Sequence, residues 1–105
     1  PLTVIGPEVV IGDMAHVNNG TTIAHHSKVG SFARISDGSH LAGAVEIGDD
    51  TLIGIGCSIN KDVKIGEGCT IVSGMTVYDN IARNTVLRAD GSLYCYQTAN
   101  SITKN

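Results

Sequence analysis

The chain has 105 residues, enough for one domain with a modest core. Seven basic and ten acidic residues give a net charge of −3, which offers no basic field for nucleic acid and no polybasic patch for a membrane surface. Three Tyr, one Phe and no Trp leave no base-stacking platform. No apolar run of membrane-spanning length and no signal-peptide pattern is present. Cys57, Cys69 and Cys95 have no metal-binding spacing, and their odd number reads as reduced thiols and a cytoplasmic location. The chain starts at Pro1 rather than Met, which reads as a piece cut from something longer.

From Ile5 a step of six residues meets Ile5, Ile11, Val17, Ile23, Val29, Ile35, Leu41, Ile47, Ile53, Ile59, Ile65, Ile71 and Val77. All thirteen are aliphatic in a chain where Ile, Leu and Val number 27. Chance yields such a run, in any of six registers, with a probability on the order of 10⁻⁷. Four residues after each aliphatic stands a mostly small residue, among them Ala15, Thr21, Ser27, Ala33, Ser39, Cys57 and Cys69. One large and one small inward residue per six fits neither a helix nor a long strand. It fits a short strand and a corner, repeated. Gly12, Gly30, Gly48 and Gly66 recur every 18 residues, as do Gly20, Gly38, Gly56 and Gly74. Three hexapeptides therefore make one coil, with glycine expected where the backbone turns through costly conformations. The predicted fold is all-β: a three-sided parallel β-helix of about four coils, with the aliphatic column as its core and Cys57 and Cys69 as core thiols.

Residues 1–82 form this prism. Residues 83–105 break the pattern: "RNTVLRADGSLYCYQ" has two apolar runs around an Asp90-Gly91 turn signal. It reads as a capping strand or hairpin over the open end, and "TANSITKN" as a loose tail.

The rungs "IGDDTL" and "IGEGCT" resemble the hexapeptide-repeat acyltransferases, which implies a left-handed β-helix. The stretch "TIAHHSKVGSFARISDGSHLAGAVEIGDDTLIGIGCSI" resembles the sialic-acid O-acetyltransferase and bacillosamine N-acetyltransferase group more specifically. The resemblance implies a homotrimer that moves acetyl from acetyl-CoA to a sugar or nucleotide-sugar acceptor, with sites in the clefts between neighbours. It places the catalytic base at His25 and the glycine of the next coil at Gly43. It puts CoA near Ile55 and the Ser73-Gly74 turn. Several features depart from the group: His26 stands where a carboxylate commonly follows the base, Arg34 replaces a second histidine, Ala44 replaces an Asn, and neither the usual C-terminal G-x-P-A tail nor the amino-terminal sugar-nucleotide domain is read in this sequence.

The residues carry the same chemistry by their own arrangement. Acetyl transfer needs a base, an oxyanion donor and a cleft that holds both reactants. The third positions of successive coils stack as Pro7, His25, Gly43, Lys61 and Asp79, so Gly43 lies about 4.8 Å from His25 along the axis. Gly43 offers an uncovered N–H, with small Ala44 beside it. Glu8 precedes His26 by one coil, and Glu8, Asn18 or His26 is a candidate to orient the imidazole. Arg34 is read as a grip for an acceptor carboxylate or a CoA phosphate, or as a trimer contact. His16 and His40 end their hexapeptides and face solvent or a neighbour. No metal site is expected, because adjacent His25 and His26 do not easily share an ion and His40 lies on another corner. Two other readings stand beside the acetyltransferase: a non-catalytic trimeric scaffold or trimerisation segment, and, less favoured, a zinc-dependent γ-type carbonic anhydrase.

Overall fold

A computed structural model describes residues 3–96; the "TANSITKN" tail lies outside the described residues. Thirteen two-residue strands recur every six residues and stack into three parallel sheets. The first face holds Val4–Ile5, Thr22–Ile23, His40–Leu41, Ser58–Ile59 and Thr76–Val77. The second holds Val10–Ile11, Lys28–Val29, Glu46–Ile47 and Lys64–Ile65. The third holds His16–Val17, Arg34–Ile35, Leu52–Ile53 and Thr70–Ile71, continued by Thr85–Leu87. Strand partners on each face are 18 residues apart, as in Ile23↔Leu41 and Val29↔Ile47. The chain winds through about five turns as an all-β solenoid. Among the described residues no helix is long and apolar enough to cross a membrane.

The aliphatic column is the core: Ile23, Ile35, Leu41, Ile53, Ile59, Ile71 and Val77 are buried. Each stabilises the prism by roughly 1.5–3 kcal/mol. Ile5 and Ile11 belong to the same column but are 47% and 38% exposed, since no described coil lies beneath them. The small inward residues have a polar task. Ser39 Oγ donates to the Gly54 carbonyl at 2.7 Å and accepts from the Cys57 N–H at 3.1 Å. Thr51 Oγ1 does the same for Gly66 and Cys69. A hydroxyl in this column thus satisfies backbone groups of the next coil that burial would otherwise leave costly. Cys57 and Cys69 are free, buried and aimed at carbonyls in the same manner. Burial pushes the Cys69 thiol up, which keeps it protonated and inert.

From His26 to Gly74 every corner carries one residue in the left-handed region, and the N–H of that residue bonds to the preceding coil. Ala44 donates to the His25 carbonyl at 2.9 Å, Phe32 to Asp13 at 2.9 Å and Gly56 to Asp37 at 3.0 Å. At the third corner glycine takes the positive φ, as at Gly20, Gly38, Gly56 and Gly74. The other glycine series has a different cause. A Cβ on Gly30 would lie 2.5 Å from the Asp49 backbone nitrogen, and one on Gly12 would lie 2.6 Å from that of Ser31. Those glycines let adjacent coils approach.

Beyond Val77 the period slips. Ile81 bridges Ile65, and Leu87 pairs with Ile71, each 16 residues apart instead of 18. Two residues are missing from one corner, yet the aliphatic column continues through buried Ile81 and Leu87. Ile81, which the period of six places in the small column, therefore occupies a large core position. Thr85–Leu87 then turns through Asp90-Gly91 into Leu93–Cys95, an antiparallel hairpin on the third face. Ser92 donates to the Asp90 carboxylate from both its N–H and its hydroxyl and holds the Asp90 carboxyl below its ordinary range.

The two glycine series respond differently to substitution. Gly38, with φ of +68° and open space around its Cβ position, accepts Asn at a cost within about 1 kcal/mol. Gly30→Asn forces two coils apart and loses about 1–3 kcal/mol or more. Denaturant unfolding of both variants checks this; equal losses would remove the distinction.

Candidate active site

The first corner, which joins the first face to the second, gathers the site. His25 and His26 occupy its second coil, Pro7 and Glu8 its first, and Gly43 and Ala44 its third. Backbone bonds lock these rungs: the His26 N–H donates to Pro7 at 3.1 Å, Ala44 to His25 at 2.9 Å, and Asp62 to Gly43 at 3.0 Å. Glu8, His26 and Ala44 each take the left-handed corner conformation, with φ of 57°, 63° and 56°. The side chains thus project from a rigid frame.

The His25 ring lies over Gly43. A Cβ on Gly43 would meet His25 Cε1 at 2.8 Å and Nε2 at 2.9 Å. Glycine at 43 therefore makes room for the imidazole itself. Among the described residues the Gly43 N–H has no hydrogen-bond acceptor. His25 and His26 meet edge to face, ring centroids 5.2 Å apart at 84°, with their Nδ1 atoms 3.0 Å apart. His26 Nε2 in turn lies 3.0 Å from Glu8 Oε2. Of the candidate orienting residues, Glu8 contacts His26 and His26 contacts His25. Asn18 stands at the third corner, where its backbone bonds to Ile35 and Thr3.

The other candidates lie elsewhere on the prism. Ile55, Ser73 and Gly74 share the third corner: the Ile55 N–H donates to Ser73 Oγ at 3.0 Å, and Gly74 donates to the Ile55 carbonyl at 2.8 Å. Arg34 lies on the third face between His16 and Leu52. His40 lies on the first face between Thr22 and Ser58. One chain therefore unites His25, His26, Glu8, Gly43 and Ala44 and leaves the rest apart. Among the described residues no three His, Cys, Asp or Glu side chains converge as metal ligands.

A groove of about 760 Å³ that sequence reasoning missed runs along the second face and reaches Asn80 at the first corner. Lys28, Lys64 and Arg83 supply its cations. Glu46 faces Lys64 at 4.0 Å, and Glu67 faces Arg83 at 4.0 Å. The signal was present as outward residues one coil apart, but a cation on a solvated strand has no pattern that marks a groove.

Residues 44–77 match the family model described as bacterial transferase hexapeptide (six repeats). No curated protein matches the sequence. Solved structures share the fold. PerB from Caulobacter crescentus, in complex with CoA and GDP-perosamine, superposes with a TM-score of 0.76 at 20% identity, over 90% of this chain and 55% of that one. The fold is the hexapeptide-repeat left-handed β-helix. The acetyltransferase domain of PglB from Neisseria gonorrhoeae, in complex with acetyl coenzyme A, gives a TM-score of 0.69 at 23% identity, over 91% and 52% of the two chains. A maltose O-acetyltransferase from Clostridium difficile gives 0.74 at 16% identity, over 92% and 68%. The β-helix spans about half the length of the PerB and PglB structures.

The ring-over-glycine contact has a direct test. Gly43→Ala leaves the β-helix folded, with stability within about 1 kcal/mol, because the displaced group is a flexible side chain. The His25 imidazole resonances shift in this variant while those of His16 and His40 stay in place. Unmoved His25 resonances would show that the ring does not rest on Gly43.

Proposed function

We propose that the protein is a CoA-dependent acetyltransferase that moves acetyl from acetyl-CoA to a hydroxyl or amine of a sugar or nucleotide-sugar. The observation that carries this reading is the His25 imidazole seated over Gly43, beside a backbone N–H without an acceptor, on a fold shared with structures that hold acetyl-CoA or CoA. His25 Nε2 takes the proton from the acceptor as its oxygen or nitrogen attacks the thioester carbon. The Gly43 N–H receives the negative charge on the carbonyl oxygen. His25 then returns the proton to the leaving thiolate, giving CoA and the acetylated acceptor. The transfer is direct, since among the described residues no nucleophilic Cys or Ser adjoins His25.

The groove cations Lys28, Lys64 and Arg83 suit the phosphates of a nucleotide-sugar or of CoA. A homotrimer fits the exposed surface. Met14, Phe32, Leu52 and Ile55 stand exposed on the third face and the corners that bound it, an apolar display expected of an interface. A neighbour seated there would let Ile55, Ser73 and Gly74 of one copy approach His25 of another.

Titration calorimetry of acetyl-CoA and CoA tests the reading, alongside His25→Ala. Micromolar binding near one site per chain is expected. The His25→Ala variant keeps that binding and loses transfer by on the order of 10²–10⁴-fold. Absence of binding at millimolar cofactor would leave a β-helix scaffold with a surface histidine. Sedimentation at micromolar protein is expected to return the trimer mass; a monomer would remove the inter-subunit site.

A further inference from the structure

Glu8, His26 and His25 form a connected chain of contacts, 3.0 Å at each step. A carboxylate only accepts hydrogen bonds, so His26 Nε2 donates to Glu8 Oε2. A neutral imidazole carries one proton, which leaves His26 Nδ1 as an acceptor. The short contact between the two Nδ1 atoms then takes its proton from His25 Nδ1. His25 Nε2 is left with its lone pair, on the ring edge that lies over Gly43. Imidazole free in water favours the opposite tautomer, with the proton on Nε2.

We propose that Glu8 and His26 act as a relay that holds His25 in the Nδ1–H tautomer, His26 serving as the positioning residue between carboxylate and base. The proposal rests on the reading of His25 as the base, and it adds the reason this chain manages with a second histidine beside the base. No proton has to pass along the relay. When His25 Nε2 gains a proton, the imidazolium donates to His26, and the Glu8 charge stabilises the pair from one coil below. The corner frame fixes the geometry, since Glu8 and His26 share one stacked column in the same left-handed conformation. In the isolated chain His26 and Glu8 are 58% and 74% exposed. Substrate or a neighbour that covers the corner would lower the local dielectric and strengthen both bonds. The other charged groups near this corner are Lys28, two residues along, and Lys61 and Asp62, two coils above at about 10 Å.

The test begins with long-range proton–nitrogen correlation spectra of the full chain at about pH 8, above the ordinary histidine range. Expected are a proton on Nδ1 and a bare Nε2 for His25, with a proton on Nε2 for His26. In Glu8→Ala and in His26→Asn, which suits positive φ, His25 turns mainly to the Nε2–H form. Unchanged His16 and His40 signals confirm that the coils stay folded. A wild-type His25 already protonated on Nε2, or a tautomer unmoved by both variants, overturns the relay. With an acceptor in hand, either variant lowers kcat by on the order of tenfold or more and leaves the KM for acetyl-CoA unchanged. His26→Glu places a carboxylate directly on His25 Nδ1, so in the Glu8→Ala background it restores kcat. No restoration would also overturn the relay. If the tautomers behave as expected while His25→Ala transfers acetyl at the wild-type rate, the base assignment fails and the relay stands.

Discussion

The structure depends on one repeated hydrogen bond. At each corner from His26 to Gly74 the residue in the left-handed conformation donates its N–H to a carbonyl of the preceding coil, as His26 does to Pro7 and Ala44 to His25. That bond fixes the stacking distance and the register together. Where it forms at successive corners, residues 18 apart must lie above one another, and each face becomes a parallel sheet of two-residue strands. Strands so short have little pairing of their own. They are stable here because the coil above and the coil below follow the same path.

The same constraint explains the composition. Close stacking at Gly12 and Gly30 excludes a Cβ, whereas Gly20 and Gly38 serve the left-handed backbone at a corner where space is open. The first and second corners manage that backbone with Glu8, His26, Ala44, Met14, Phe32 and Asp50. Each non-glycine residue there carries a conformational cost of about 1–2 kcal/mol, which the corner bond and the stacked core offset. Inward Ser, Thr and Cys satisfy backbone groups of the next coil, which is why the small column is polar as often as it is apolar.

The fold was legible because its period is written in one residue class, the aliphatics from Ile5 to Val77. The signal failed where the period slipped. Nothing in "VYDNIARNTVL" announces that a corner loses two residues, so Ile81 seemed to fall in the small column and Leu87 outside the repeat. The corner of the site was legible too, because His25, Gly43, His26 and Glu8 share stacked positions. The order of contacts was not. Stacking places Glu8 beneath His26, but only side-chain geometry shows His26 bridging to His25. The contact at Gly43 was hidden for a similar reason: stacking places a glycine one coil above a histidine, but only side-chain geometry shows the ring lying over it.

A prism with three distinct corners also limits what one chain does. His25 projects from the first corner, while Ile55 and Ser73-Gly74 project from the third, with the first face between them. No motion short of unwinding a coil brings these together, since every corner is tied to the next by backbone bonds. Under the proposed reading, the cofactor-binding corner and the base meet only when two copies lie side by side. The exposed Phe32, Leu52 and Ile55 on and beside the third face then have two effects: they bury apolar surface, and they set one copy's third corner against the other's first. On that reading assembly and catalysis become one property, because the geometry that lowers the barrier would exist only at the contact between copies. The relay fits this arrangement. Its bonds are weakest while Glu8 and His26 face water, and on the proposed reading they would strengthen as a neighbour and substrate close over the corner, holding the base in its working tautomer most firmly in the assembled, occupied site.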